Sequence, residues 1–579
     1  AYTILWGGKK MRKFLSRLGL VFAAGVMLAQ PVAACTGVYV GKDLTEDGSV
    51  IFGRTEDLEQ HHNKTFIVVE AKQNEEGAKL VDEYTKFEYE LPAESYKYFA
   101  VPDTTPEWGL YYEAGYNEHG VAMDATTTTY TNEEVLAVDP LVENGISESI
   151  MTTIVLGQAK TAREGIELLA SIVDEKGSAE GNGLIIADQN ETWYMEILSG
   201  HQYAAMKLPD DMYAVFPNSF FLEGVDVEDT DNVIASADLK ATAEEAGTLV
   251  EEDGMIRVAD SYAAEIDPGS ISRYWSGVKT LDPDAEVSMD DTEFPFLHST
   301  DKKITLEDVM NLQRNRLEGT DYIPADNVAS ATGGEMEETE AEGESEAAEE
   351  KTEPSEAEET VAEETEAEGE SEAAEEETEA SEAEETVAEE TEAEGESEVA
   401  EEESAAEEET EAEEAAEEET EVEMPENAKY PIGNKNTMEA HIFQIYEDMP
   451  AEVPGVMWLA IGSPTVSPYL PFFGNITETI PAYQVESNEY DSESFYWAVD
   501  SILTAMLADE SNLKDEIREK VLAIEKVAMD QFEEVRQELI KKYGEDPAAA
   551  AEWITEQTKK FSQDAFDQIK TIESDYVTE

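Results

Sequence analysis

Residues 36–40 and 49–52 are short β-prone runs on either side of the turn-forming stretch Thr45-Glu46-Asp47-Gly48, which predicts a hairpin with Cys35 at its start. Residues 66–70, 120–129, 183–187, 192–198 and 213–216 carry the same strand pattern, interrupted by helical spacing such as that of residues 162–173. The predicted class is α+β with mostly antiparallel strands. Apolar patterning returns at residues 438–446 and 456–461, followed by a Pro-rich loop over 463–473. From Ser492 onward the spacing of Ile502, Met506, Leu522, Ile524 and Val527 predicts helices punctuated at Gly544 and Pro547, a region that packs rather than reacts.

The start of the chain has a different pattern. The first residue is Ala1 and the first methionine Met11, so residues 1–10 read as upstream read-through. Arg12, Lys13 and Arg17, an apolar run over 18–28 and the small residues Val32-Ala33-Ala34 follow, which is a secretory signal over 11–34 with cleavage after Ala34. The apolar run falls short of the roughly 20 residues that a spanning helix needs. The expected location is therefore secreted or cell-surface, with no stable membrane insertion once the leader is gone.

Charge divides the rest. The net charge is -99, and residues 335–423 hold 46 Glu against one Lys. Within them a 26-residue unit starting at Ser355 recurs from Ser381 almost unchanged. Ala, Val and Thr among unbalanced Glu offer no face to stack, so residues 331–425 are expected to be disordered. The expected organisation is a catalytic domain over 35–330 and 426–500, the acidic insertion between its parts, and a helical region over 501–579. The remainder is still acidic, which argues against nucleic acid and anionic lipid as partners.

The candidate chemistries narrow quickly. Six histidines include no H-E-x-x-H run, and His61-His62 are adjacent, which does not place two ligands on one helix face. No G-x-S-x-G elbow occurs, and the S-x-x-K matches at Ser299 and Ser511 lack companion motifs. No metal or cofactor is called for. Cys35 is the only cysteine, so no disulfide forms within the chain. A lone cysteine is ordinarily a small buried hydrophobe. At a cleavage junction it becomes a nucleophile whose own α-amine, of pKa about 7.7 to 8.0, handles the proton. Arg54 and Asp57, just beyond the strand paired with Cys35, supply the cation that favours a thiolate and the anion that holds the amine. A surface ion pair is their bland alternative. Val32-Ala33-Ala34-Cys35 also fits the pattern before a lipidated cysteine, which would consume the thiol and leave a surface lipoprotein.

Cys35-Thr36-Gly37-Val38, Asp47-Gly48-Ser49 and Phe52-Gly53-Arg54-Thr55-Glu56-Asp57 resemble the opening of the dipeptidase A family. These are N-terminal-nucleophile cysteine hydrolases related to choloylglycine hydrolase and penicillin V acylase. The resemblance continues through Tyr116-Asn117-Glu118-His119-Gly120-Val121-Ala122-Met123, Thr161-Ala162-Arg163-Glu164-Gly165, Ile186-Ala187-Asp188, Trp193-Tyr194-Met195-Glu196 and Gly200-His201. After the acidic tract it resumes at Pro454-Gly455-Val456-Met457-Trp458 and Ser467-Pro468-Tyr469-Leu470-Pro471-Phe472.

The resemblance implies an αββα four-layer sandwich and an exported cysteine dipeptidase acting on dipeptides or short peptides through a thioester. By position it makes Cys35 the nucleophile, Arg54 and Asp57 its electrostatic supports, Asn218 an oxyanion or amine-binding group, and Arg273 a looser match. Where choloylglycine hydrolases place a second oxyanion asparagine, this chain has the threonines 126–129, so Thr127 or a backbone N–H takes that part. An acylase of bile-salt or penicillin-type amides is the neighbouring alternative, and the sequence leaves the oligomeric state open.

Overall fold

A computed structural model of the chain describes residues 35–104, 111–327 and 425–577. The leader and the acidic tract lie outside the described residues. The chain begins with the strands Thr36–Val40 (β1) and Val50–Asp57 (β2), then Ile67–Val69 (β3), Tyr98–Pro102 (β4), Tyr112–Asn117 (β5) and Ala122–Thr129 (β6). The helices Glu148–Leu156 (α1) and Ala162–Lys176 (α2) precede Gly181–Ala187 (β7), Thr192–Ile197 (β8), Tyr203–Lys207 (β9), Tyr213–Phe216 (β10) and Val233–Ala235 (β11). Pro268–Leu281 (α3), Leu297–His298 (β12) and Leu306–Gln313 (α4) complete the part before the tract. Beyond it come Thr437–Ile445 (β13), Gly455–Ile461 (β14), Leu470–Phe473 (β15), Phe495–Ala508 (α5), Glu510–Glu545 (α6) and Pro547–Tyr576 (α7).

Two antiparallel sheets result, ordered β12-β10-β1-β2-β13-β14-β15 and β11-β9-β8-β7-β6-β5-β4-β3. Their facing sides meet through aromatic pairs: Tyr116 lies 5.6 Å from Phe443 and Tyr194 lies 5.0 Å from Phe216. The helices α1 and α2 cover the other side of the eight-stranded sheet, where Ile154, Leu169 and Val173 share a core with Leu184, Ile186 and Trp193. On the far side of the seven-stranded sheet, α3 comes so close to Val215 that only Gly277 fits there, and α4 donates from Gln313 to the His441 carbonyl.

The hairpin is built by its turn. Asp47 Oδ1 accepts from both the backbone N–H and the hydroxyl of Ser49, and Gly48 takes φ 75°, a left-handed conformation that favours glycine. Residues 470–473, read from sequence as loop, form the edge strand β15, with Pro471 opposite Trp458. Proline is tolerated there because an edge strand has ladder positions with no partner. The helices begin at Phe495, close to Ser492 where the helical spacing starts, and α6 runs through the expected break at Gly544 to Glu545. It packs onto the sheet edge through Phe532, which stacks on Phe473 and meets Trp458 at 4.9 Å. The strand β13 pairs with β2 along its whole length, so segments from both sides of the acidic tract share one sheet. Where the described chain enters and leaves the tract, Ile323 pairs with Ala428 and Pro324 with Lys429.

Candidate active site

Cys35 stands immediately before β1, and the register of β1 with β2 sets Thr36 opposite Thr55 and Gly37 opposite Arg54. The guanidinium is thereby brought to the thiol, with Arg54 Nη1 3.4 Å from Cys35 Sγ. Arg54 and Asp57 lie within β2 rather than beyond it, because β2 continues to Asp57 between β1 and β13. The polarity of residues 53–57 hides this from the sequence. Flanked by two strands, their backbone stays paired, and their side chains find partners inside the protein.

The Arg54 side chain is only 1% exposed and is ringed by carboxylates from the facing sheet and its helix. Glu113 Oε2 on β5 lies at 2.6 Å, Asp124 Oδ1 on β6 at 3.2 Å and Glu148 Oε1 at the start of α1 at 3.4 Å. A register shift in β6 between Asp124 and Thr127 re-aims the strand at this point. Arg54 is therefore a buried node and not a surface ion pair. Burial disfavours its charge, but the Cys35 sulfur and these carboxylates outweigh that and hold it protonated. Burial also pushes the Cys35 thiol up; Arg54 opposes the rise, the Asp57 and Glu148 carboxylates add to it, and the Asp57 backbone N–H bonds the sulfur and lowers it.

Asp57 accepts from Thr55 Oγ1 at 3.0 Å and from Thr437 Oγ1. Burial nevertheless raises its carboxyl to about 7, against the pull of Thr437 and Arg273. The folded protein thus keeps a proton that the unfolded chain, near 3.9, has already lost. The contribution of this group to stability falls as pH rises from about 4 to about 7, with a slope of at most about 1.4 kcal/mol per pH unit. Thermal unfolding of wild type and Asp57→Asn between pH 4 and 8 is expected to show the variant gaining on the wild type across that window. A constant difference would contradict the assignment.

Arg273 on α3 reaches the nucleophile's main chain. Its Nη1 donates to the Cys35 carbonyl at 2.5 Å and to Thr36 Oγ1 at 3.1 Å, while Nη2 donates to Asn218 Oδ1 at 2.9 Å. Asn218 Nδ2 in turn donates to the Thr128 carbonyl at 3.0 Å. Cys35, Arg54, Asp57, Asn218 and Arg273 therefore form one cluster. The Thr127 side chain lies outside the described residues; its backbone pairs with Gly183.

Sequence reasoning missed Glu113, Asp124 and Glu148, and behind them Glu439 and His441. The available signal was the alternation Thr437-Met438-Glu439-Ala440-His441-Ile442. Such alternation ordinarily marks a solvated face, but here both polar residues are fully buried.

Comparison with known proteins settles the family. The model of Peptidase family C69 matches residues 34–340 and 403–522. The chain belongs to peptidase family C69. "Probable dipeptidase B" of Streptococcus pyogenes serotype M1 is 40% identical over 546 residues, covering 94% of this chain and 93% of that protein. "Probable dipeptidase" of Latilactobacillus sakei is 28% identical, covering 80% and 79%. "Dipeptidase" of Bifidobacterium longum is 33% identical, covering 50% and 60%. Among solved structures, penicillin V acylase from Agrobacterium tumefaciens is similar at 17% identity and a TM-score of 0.21, over 30% of this chain and 49% of that one.

Two motifs of this C69 chain have structural explanations. Asn117 Oδ1 accepts from the N–H groups of His119 and Val121, and its Nδ2 donates to the carbonyls of Leu156 and Ala159. It thus ties the β5–β6 turn to the end of α1. In Thr161-Ala162-Arg163-Glu164-Gly165, Thr161 caps α2 by accepting from the Glu164 N–H. A Cβ at Gly165 would press within 3.0 Å of Val155 and 3.1 Å of Ile186.

Proposed function

We propose that this C69 peptidase is an exported cysteine dipeptidase whose nucleophile is Cys35, freed as an amino terminus when residues 11–34 are removed, within an αββα N-terminal-nucleophile sandwich. The observation that carries the reading is the approach of Arg54 Nη1 to Cys35 Sγ at 3.4 Å inside a buried ring of carboxylates. The dipeptidase names of relatives along nearly the whole chain support the substrate class. The signal-like pattern of residues 11–34 supports export.

The electrostatics fix what the mechanism needs. Three carboxylates share the charge of Arg54 and burial keeps the thiol neutral, so a base must take the proton at the moment of attack. The freed α-amine, two bonds from the carbon that bears sulfur, is that base. Asp57, ionised above about pH 7, steadies the ammonium that this proton transfer creates. Sulfur adds to the peptide carbonyl, and the tetrahedral oxygen takes an N–H from Asn218, whose amide Arg273 orients. The C–N bond breaks, the ammonium protonates the leaving amine, and the remaining thioester is hydrolysed by water activated by the same amine.

The test is a panel of dipeptides against bile-salt and penicillin-type amides, run on mature protein whose first residue is established by N-terminal sequencing. Turnover confined to dipeptides, with a free Cys35 terminus, is expected. Turnover confined to the conjugates, or a lipid on Cys35, would overturn the reading. Because the described chain enters and leaves the acidic tract side by side, deletion of residues 331–424 across a short linker is expected to leave kcat/KM for dipeptides within about twofold, since loop length costs little stability. A large loss would give the tract a part in catalysis.

A further inference from the structure

Behind Arg54 lies a chain of buried charges that the mechanism above does not use. Asp124 Oδ1 is 3.2 Å from Arg54 Nε and also 3.2 Å from His441 Nε2, so one oxygen bridges the two cations. The other ring nitrogen, His441 Nδ1, lies 2.9 Å from Glu439 Oε1. At 3.2 Å and off the ideal angle, the Asp124 contacts are ion pairs rather than aligned hydrogen bonds. His441 stands directly opposite Arg54 in the register of β13 with β2, and His441 and Glu439 are both fully buried.

Both ring nitrogens of His441 thus face carboxylates, one from its own strand and one from β6. Ionised carboxylates only accept, and a neutral imidazole has one nitrogen that cannot donate. The geometry is satisfied by an imidazolium. Burial opposes that charge, but Glu439 and Asp124 raise the group to about 10.

We propose that Glu439, His441 and Asp124 form a positioning chain that holds the Arg54 guanidinium against the Cys35 sulfur. The proposal rests on the reading of Cys35 as the nucleophile. Arg54 meets Glu113 and Glu148 at its two terminal nitrogens, and Asp124 holds the third, Nε, while Nη1 meets the thiol. Without the imidazolium, Asp124 has only Arg54 to balance its charge and draws the guanidinium toward itself, away from the sulfur. None of the three residues touches the reacting atoms, so each acts through Arg54.

The test uses the full mature protein and its single cysteine. The rate of Cys35 alkylation by iodoacetamide is followed by intact mass at pH 8 in wild type, His441→Gln and Glu439→Gln, alongside kcat and KM for a dipeptide. In both variants the alkylation rate is expected to fall roughly tenfold and kcat to fall roughly tenfold, with KM within about twofold. Alkylation rate and kcat at wild-type values in either folded variant overturn the proposal. Should both variants fail to fold, nitrogen-15 NMR of the wild type decides: two protonated ring nitrogens at pH 8 are expected for His441, and a neutral ring overturns it. A wild type that turns over no dipeptide while its variants still slow Cys35 alkylation sinks the dipeptidase reading and leaves the positioning chain standing.

Discussion

Replacing Cys35 with Ala is expected to abolish dipeptide hydrolysis, lowering kcat by about 10⁴-fold or more, while the protein stays folded. The chain has no second thiol to substitute for the sulfur. The surrounding groups stay in place because Arg54 retains Glu113, Asp124 and Glu148, and Arg273 holds the main-chain carbonyl of residue 35 rather than its side chain. Lost burial of one small side chain costs about 1 to 2 kcal/mol. Steady-state assays with purified mature protein, together with a thermal melt, check both halves of the expectation. Retained turnover in a folded Cys35→Ala variant would remove Cys35 from the mechanism.

Arg54→Met is expected to fail differently, losing stability and activity together. Removing the cation leaves Glu113, Asp124 and Glu148 facing one another in a buried space. Breaking a buried charge pair in this way costs about 3 to 5 kcal/mol, so denaturant unfolding should show a large loss. Arg54→Lys restores the charge, but one ammonium cannot occupy the positions of the three guanidinium nitrogens that meet the sulfur and the carboxylates. It is expected to recover much of the stability and little of the thiol reactivity. Full reactivity in Arg54→Lys would mean that charge alone suffices.

The Phe52-to-Asp57 segment shows where sequence reading succeeded and where it stopped short. Its importance was legible because polar, charged residues follow a β-prone run within reach of the only cysteine. Its conformation was misjudged, since residues 53–57 lack the alternation of a half-buried strand. That stretch is a strand because β1 and β13 pair with it on both sides, and β13 arrives from more than three hundred residues away. The tail shows the reverse case. Its apolar spacing marked the helices, but the same spacing does not state that Phe532 will stack on Phe473.

The sequence by itself determined most of the strand and helix types, the turn at Asp47-Gly48, and the grouping of Cys35 with Arg54 and Asp57; the family resemblance added Asn218 and Arg273, and the fold gathers all five into one cluster. These follow from local chemistry and from motifs that hold their spacing along the chain. Tertiary structure alone decided which acids surround Arg54 and that His441 lies behind it. Glu113, Asp124 and Glu148 come from β5, β6 and α1, and Glu439 and His441 from β13. Their meeting depends on how one sheet faces the other and on the register of β13 with β2. No local pattern encodes that, because a carboxylate destined for a buried ion pair and one destined for solvent are the same residue until the partner strand arrives.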